Sequence, residues 1–79
     1  MAAKAYVLIE TSVGKTRDVV VALRNVSGMK DVDAVTGPYD AIAVCEASDL
    51  NAIGEMVTHQ VHTVPGVVRT ITCLAVQIA

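Results

Sequence analysis

The sequence predicts an α+β fold, a four-stranded antiparallel sheet with two helices on one face, in the chain order βαββαβ. Three observations carry that prediction. Short apolar, β-prone runs alternate with two longer stretches whose apolar residues recur at helical spacing. A segment between the first helix and the second strand, Val26-Ser27-Gly28-Met29-Lys30-Asp31-Val32, has its counterpart in Val64-Pro65-Gly66-Val67-Val68-Arg69-Thr70 in the second half. The two halves meet at Gly37-Pro38-Tyr39-Asp40, a turn by composition.

The elements follow in order. Ala5–Glu10 is a short strand, apolar on both faces. Gly14 breaks it, and a helix is expected from about Lys15 to Asn25, with Val19, Ala22, Leu23 and Val26 forming one buried stripe and Arg17 and Arg24 opposite. Gly28 suits the left-handed position that ends such a helix. Lys30–Thr36 alternates apolar and charged residues, which suits a strand near a sheet edge. Ala41–Ala47 is apolar except for Glu46, which suits a central strand. Ser48-Asp49 offers an N-cap to a second helix over about Asp49 to His62, burying Leu50, Ile53, Val57 and Val61. Pro65-Gly66 ends it, and Val67–Val76 is expected as the fourth and longest strand. Two βαβ halves joined in this way make the ferredoxin-like, split-βαβ arrangement. The helices cover one face of the sheet, yet strands one, three and four are apolar on both. The bare face therefore needs a cover, and the same face of a second copy is the simplest, giving a dimeric α+β barrel.

Composition points the same way. The 79 residues are expected to form a single domain, 1–79, and a domain of this size buries only roughly 60% of the surface its unfolded chain exposes. Its hydrophobic fraction is 53%, with no Trp or Phe, which is more apolar side chain than one small core can hide. The surplus is assigned to subunit contacts. No apolar run approaches the ~18 residues of a membrane span, so no membrane partner is expected. The net charge is −2 with no basic cluster, which argues against direct nucleic-acid binding. No secretory leader is evident, so a cytoplasmic setting is expected, with Cys45 and Cys73 as reduced, buried hydrophobes in strands three and four.

Several residues qualify as candidate sites by type. Glu55, His59 and His62 stand at i, i+4 and i+7, but at about 100° per residue all three leave the apolar stripe and fall on the solvent face. No metal site and no tuned general base is expected from them. Ser12 and Ser27 have no nucleophile motif, and Gly14 alone makes no phosphate loop. The turn Thr36–Asp40 is richer: Gly37 permits close backbone approach, Tyr39 offers a ring face and a hydroxyl, and Asp40 can accept from an ammonium group. Thr70 and Thr72, two apart on one strand, place two hydroxyls in an apolar row, and buried hydroxyls need partners.

Taken together these segments resemble the Lrp/AsnC family of bacterial and archaeal regulators. Val35-Thr36-Gly37-Pro38-Tyr39-Asp40 resembles its T-G-x-Y-D motif, Pro65–Thr72 its G-V-x-x-T-x-T segment, and Val26–Val32 the preceding V-x-G-V-x-x-V stretch. The likeness runs from about Ala5 to Val76. It implies the family's effector-binding (RAM) domain, which dimerises through its sheet, assembles further, and takes amino-acid effectors between dimers. Carried over, the implied ligand contacts are Gly37, Tyr39 and Asp40, with Thr70 and Thr72. Full members carry a helix-turn-helix domain that this sequence lacks, so a stand-alone form is expected, reaching DNA only through co-assembly with full-length relatives or a shared effector. Pro38 departs from the pattern in removing one backbone N–H from the turn.

The leading expectation is a non-enzymatic, amino-acid-binding and oligomerising module of transcription regulation, with no cofactor. One rival is a small dimeric-barrel enzyme, for which Glu10 and Glu46 are the strand carboxylates available, neither with an evident partner. The other is a purely structural assembly partner of full-length regulators.

Overall fold

The computed structural model describes residues 2–78. It holds β1 (Ala3–Thr11), α1 (Thr16–Arg24), β2 (Met29–Ala34), β3 (Ala41–Ala47), α2 (Leu50–Met56), a π-helical turn (Val57–Val61) and β4 (Val67–Leu74). The strands form one antiparallel sheet in the order β2-β3-β1-β4. This is the ferredoxin-like βαββαβ arrangement, with β3 central and β2 at an edge as expected. β4 takes the other edge and stops at Leu74, so that β1, with nine residues, is the longest strand. β2 also ends two residues short of Thr36, where the chain leaves the ladder for the Gly37 turn.

Strand alternation decides which face is covered. Ala5, Val7 and Ile9 of β1, Val32 of β2, and Ala41, Ala43 and Cys45 of β3 are buried toward the helices. The alanines let the helices sit close. Val19, Val20 and Leu23 of α1 fill the layer above β2 and β3, while Ile53, Met56, Val57 and Val61 fill the layer above β3 and β1. The register puts Lys4, Tyr6, Leu8 and Glu10 of β1 on the opposite face, beside Ile42, Val44 and Glu46 of β3 and Arg69, Ile71 and Cys73 of β4. No element among the described residues covers that face.

The internal repeat holds at the level of hydrogen bonds. The Met29 amide donates to the Val26 carbonyl and the Val67 amide to the Val64 carbonyl, both at 3.2 Å. Gly28 and Gly66 occupy the third position of these turns with φ of +92° and +100°, the type II pattern that favours glycine there and admits Pro65 before it.

The helices differ from expectation in three details. Leu50, expected in the core, is 58% exposed; it begins α2 beyond the sheet, and Met56 occupies the buried stripe instead. Arg24 does not project freely from α1 but folds back, its Nε and Nη2 donating to the Val32 carbonyl at 3.1 and 2.9 Å. The second helix does not run unbroken to His62: after Met56 it widens into the π turn, and the His62 amide donates to the Val57 carbonyl five residues back. Gly54 and the β-branched Val57, Thr58 and Val61 are weak α-formers, so the widening costs little at this position.

Candidate functional site

The turn between β2 and β3 is built on the end of β1. The Val35 amide donates to the Asp40 carbonyl, closing the loop, and the Asp40 amide donates to the Ile9 carbonyl, each at 2.9 Å. The Asp40 carboxylate then accepts from the Thr11 amide at 2.8 Å. One of its oxygens is thus occupied by the fold itself. Gly37 has φ +125° and open space where a side chain would stand, so its backbone is approachable from solvent. Tyr39 and Asp40 are half-buried.

Thr70 and Thr72 project from β4 on the helix side, since their β1 partners are the buried Ile9 and Val7. The helices stop short of this edge strand. What results is an open groove of about 440 Å³ between the π turn and β4, lined by Val57, His62, Val67, Val68, Arg69, Thr70 and Thr72. His62 Nε2 stands 2.7 Å from Thr70 Oγ1, a hydrogen bond in which either can donate. Thr72 lies two residues along and is exposed.

The expected residues therefore fall into two groups. Ile9 pairs with Ala41 on one side and Thr70 on the other, so the turn and Thr70 share one end of the sheet, separated only by β1. With neighbouring strands roughly 4.8 Å apart, the backbones after Asp40 and at Thr70 are about 10 Å apart. Gly37, Tyr39 and Asp40 do not line the groove. A single chain presents two separate polar surfaces, open to solvent, in place of one closed pocket.

His62 is exposed, as expected from the sequence, but its ring also reaches Thr70, a contact that periodicity does not foresee. A constant advance of about 100° per residue puts it on the solvent face with Glu55 and His59. Each residue of the π turn advances less than that, so the helix face has rotated by residue 62 and the imidazole reaches β4. The β-branched run after Gly54 is the signal in the sequence that could have found it. His59 remains exposed, its carbonyl accepting from the Thr63 hydroxyl at 2.8 Å. Among the described residues no three His, Cys, Asp or Glu side chains stand together as metal ligands.

Two other expectations are corrected. Cys45 is buried, and burial pushes its thiol pKa up against a smaller lowering by the Ala5 backbone hydrogen bond, but Cys73 is exposed. Cys73 pairs with Tyr6 on the uncovered face, outside the reach of either helix. Glu10 does have a partner: Arg69 Nε lies 2.7 Å from Glu10 Oε2 across the β1–β4 ladder. Glu46 lies opposite Lys4 on the same uncovered face. Glu10 is engaged by Arg69, and Glu46 borders a shallow, open surface hollow together with Lys30, Ala47 and Ser48. No helix among the described residues is long and apolar enough to cross a membrane.

Comparison with known proteins agrees with this architecture. The family model of the Lrp/AsnC ligand binding domain matches residues 4–78. TTHA0845 from Thermus thermophilus is 30% identical with a TM-score of 0.92, the match covering 98% of this chain and 96% of that one. The hypothetical protein PHS023 from Pyrococcus horikoshii is 28% identical with a TM-score of 0.88, covering 99% and 93%. The transcriptional regulator NMB0573 from Neisseria meningitidis, solved as a complex with L-Met, has a TM-score of 0.85 at 17% identity; the match covers 95% of this chain and 50% of that one, so the likeness there is one of fold. No curated protein matches the chain. The fold and the match define a regulatory, effector-binding class of domain. The chain belongs to the Lrp/AsnC ligand-binding domain family.

Proposed function

We propose that the chain, as a single domain over residues 1–79, binds an amino acid or a closely related effector without catalysing a reaction on it, and that it does so as an oligomer. The observation that supports this reading is that the Gly37–Asp40 turn and Thr70 lie at the same end of the sheet, on either side of Ile9. The exposed backbone at Gly37 and the remaining lone pairs of Asp40 suit the carboxylate and ammonium groups of a zwitterion. Thr70 and Thr72 offer hydroxyls from a second direction. Both half-sites are open in one chain, and apposition with a neighbouring subunit would enclose them. That a regulator of the same fold was solved with L-Met supports an amino acid as the class of effector.

Oligomerisation rests on the uncovered sheet face, which pairs with its like in a second copy; dimers then associate further to complete the ligand site. Co-assembly with full-length Lrp/AsnC regulators is the route by which the domain influences transcription. It makes no direct contact with nucleic acid and works in the cytoplasm.

Native mass spectrometry and a thermal-shift panel of amino acids test the proposal together. A dimer or larger species whose melting temperature rises with at least one amino acid is the expected result. A monomer indifferent to all of them would overturn it. Asp40→Ala is a poor probe of the ligand site, because it also removes the acceptor of the Thr11 amide. Thr72→Val is cleaner, since Thr72 is exposed. It should lose the ligand response and keep both oligomer and melting temperature.

A further inference from the structure

We infer that His62 sets the direction of the Thr70 hydroxyl and thereby makes the β4 half-site selective for a carboxylate, with an affinity that rises as His62 gains a proton. The inference rests on the amino-acid-binding reading above and assigns a specificity role to a residue outside the family motif. A threonine hydroxyl has one hydrogen and two lone pairs. With Nε2 2.7 Å away, that hydrogen is either spent on the imidazole or left for something else. When Nε2 is unprotonated it accepts from Thr70, and the groove sees only the oxygen's lone pairs, which suit an ammonium or hydroxyl donor. When Nε2 carries a proton it donates to Thr70 Oγ1, and the hydroxyl turns its own hydrogen toward the groove, where it suits a carboxylate. In the imidazolium both nitrogens are protonated, so only the second arrangement remains, and a positive charge stands behind it.

The surroundings leave His62 as the group that responds. Arg69 borders the groove, but its side chain lies on the opposite face of the sheet, where its guanidinium is engaged by Glu10 across the ladder. On the helical side His59 lies three residues earlier, exposed, with Glu55 beyond it. Val57, Val67 and Val68 complete the lining and carry no charge. No carboxylate among the described residues lines the groove to neutralise the imidazolium or compete for Thr70. The π turn makes the contact: an unbroken α-helix would turn residue 62 away from β4.

Isothermal titration calorimetry at about pH 8 and about pH 6, where a free amino acid stays zwitterionic while histidine side chains ordinarily titrate, tests the inference. The probes are the twenty L-amino acids and, for each that binds, its carboxamide. Wild-type affinity should rise roughly fivefold toward the lower pH for the free acid; the carboxamide, whose own ammonium titrates at about pH 8, should show the same pH dependence in the wild type and in His62→Gln. His62→Gln, whose amide still reaches Thr70 but does not titrate, should bind the free acid without the pH dependence, whereas His59→Gln should keep it. Binding of the free acid with no pH dependence, or a dependence that survives in His62→Gln, would overturn the inference and leave amino-acid binding standing. Absence of binding by every amino acid at both pH values would overturn both.

Discussion

The two repeat glycines and the turn glycine show how differently one residue type can be constrained. A Cβ at Gly66 would stand 2.9 Å from Lys15 Cβ and 3.0 Å from Val19 Cγ2, in a backbone conformation with φ +100°. Gly66→Ala therefore combines backbone strain with a clash against α1, and a loss of about 2–4 kcal/mol is expected. Gly37, at φ +125°, has nothing within reach of a Cβ, so Gly37→Ala should cost only the strain, about 1–2 kcal/mol. Urea midpoints of the two variants should fall in that order, and equal values would contradict the packing argument. Cys45 gives a pH prediction of definite sign. Its thiol has a folded pKa above the ordinary 9.0, so its contribution is fully present at lower pH and is lost as pH rises above that value, where the unfolded chain releases the proton more readily. Stability measured through this alkaline range should fall more steeply in the wild type than in Cys45→Ala.

At the scale of the element, the strands of the middle of the sheet are the most legible in the sequence. Ala41–Ala47 matches to the residue, because a short apolar run bounded by Asp40 and Ser48-Asp49 admits little else. Its N-cap neighbour is legible too: the Asp49 carboxylate accepts from the Ala52 amide at 2.8 Å. Asp49→Ala should lower stability by about 1 kcal/mol. Circular dichroism should show the fold retained and the thermal midpoint reduced; an unchanged midpoint would mean that the cap contributes nothing to α2. The end of that helix is not legible. Periodicity assumes a constant turn, and the π turn over Val57–Val61 breaks the assumption while leaving Val57 and Val61 buried as expected. The same departure carries His62 to Thr70, so one local error of helical phase hides one residue of the candidate site. The position of β4 is obscure for another reason. The sequence makes it apolar on both faces, like β1 and β3, and only the strand order shows it to be an edge whose helix-side face overhangs the core.

For the whole molecule, the uncovered sheet face is the main unsatisfied feature. Tyr6 and Ile71 are each 39% exposed there, with Leu8, Ile42 and Val44 half-buried between them. The rim is charged, with Asp31 and Asp33 of β2 at one edge and Arg69 of β4 at the other. A two-fold pairing of this face with itself brings apolar centre onto apolar centre. Val44 lies at the middle of the patch and contributes nothing to the helix-side core, so Val44→Glu tests the pairing without disturbing the fold. Two buried, unpaired carboxylates per dimer would oppose association by several kcal/mol. The variant should therefore run as a monomer by light scattering at concentrations where the wild type is larger, while its circular dichroism spectrum is unchanged. Cys73 provides a second readout from the same face. Its thiol should react slowly with a disulfide reagent in the concentrated wild type and rapidly in Val44→Glu, while Cys45 stays protected in both until the chain unfolds. If Val44→Glu keeps the wild-type mass and Cys73 remains equally reactive in both proteins, the sheet face is not where copies meet, and the excess apolar surface must be sought at the open edge of β4.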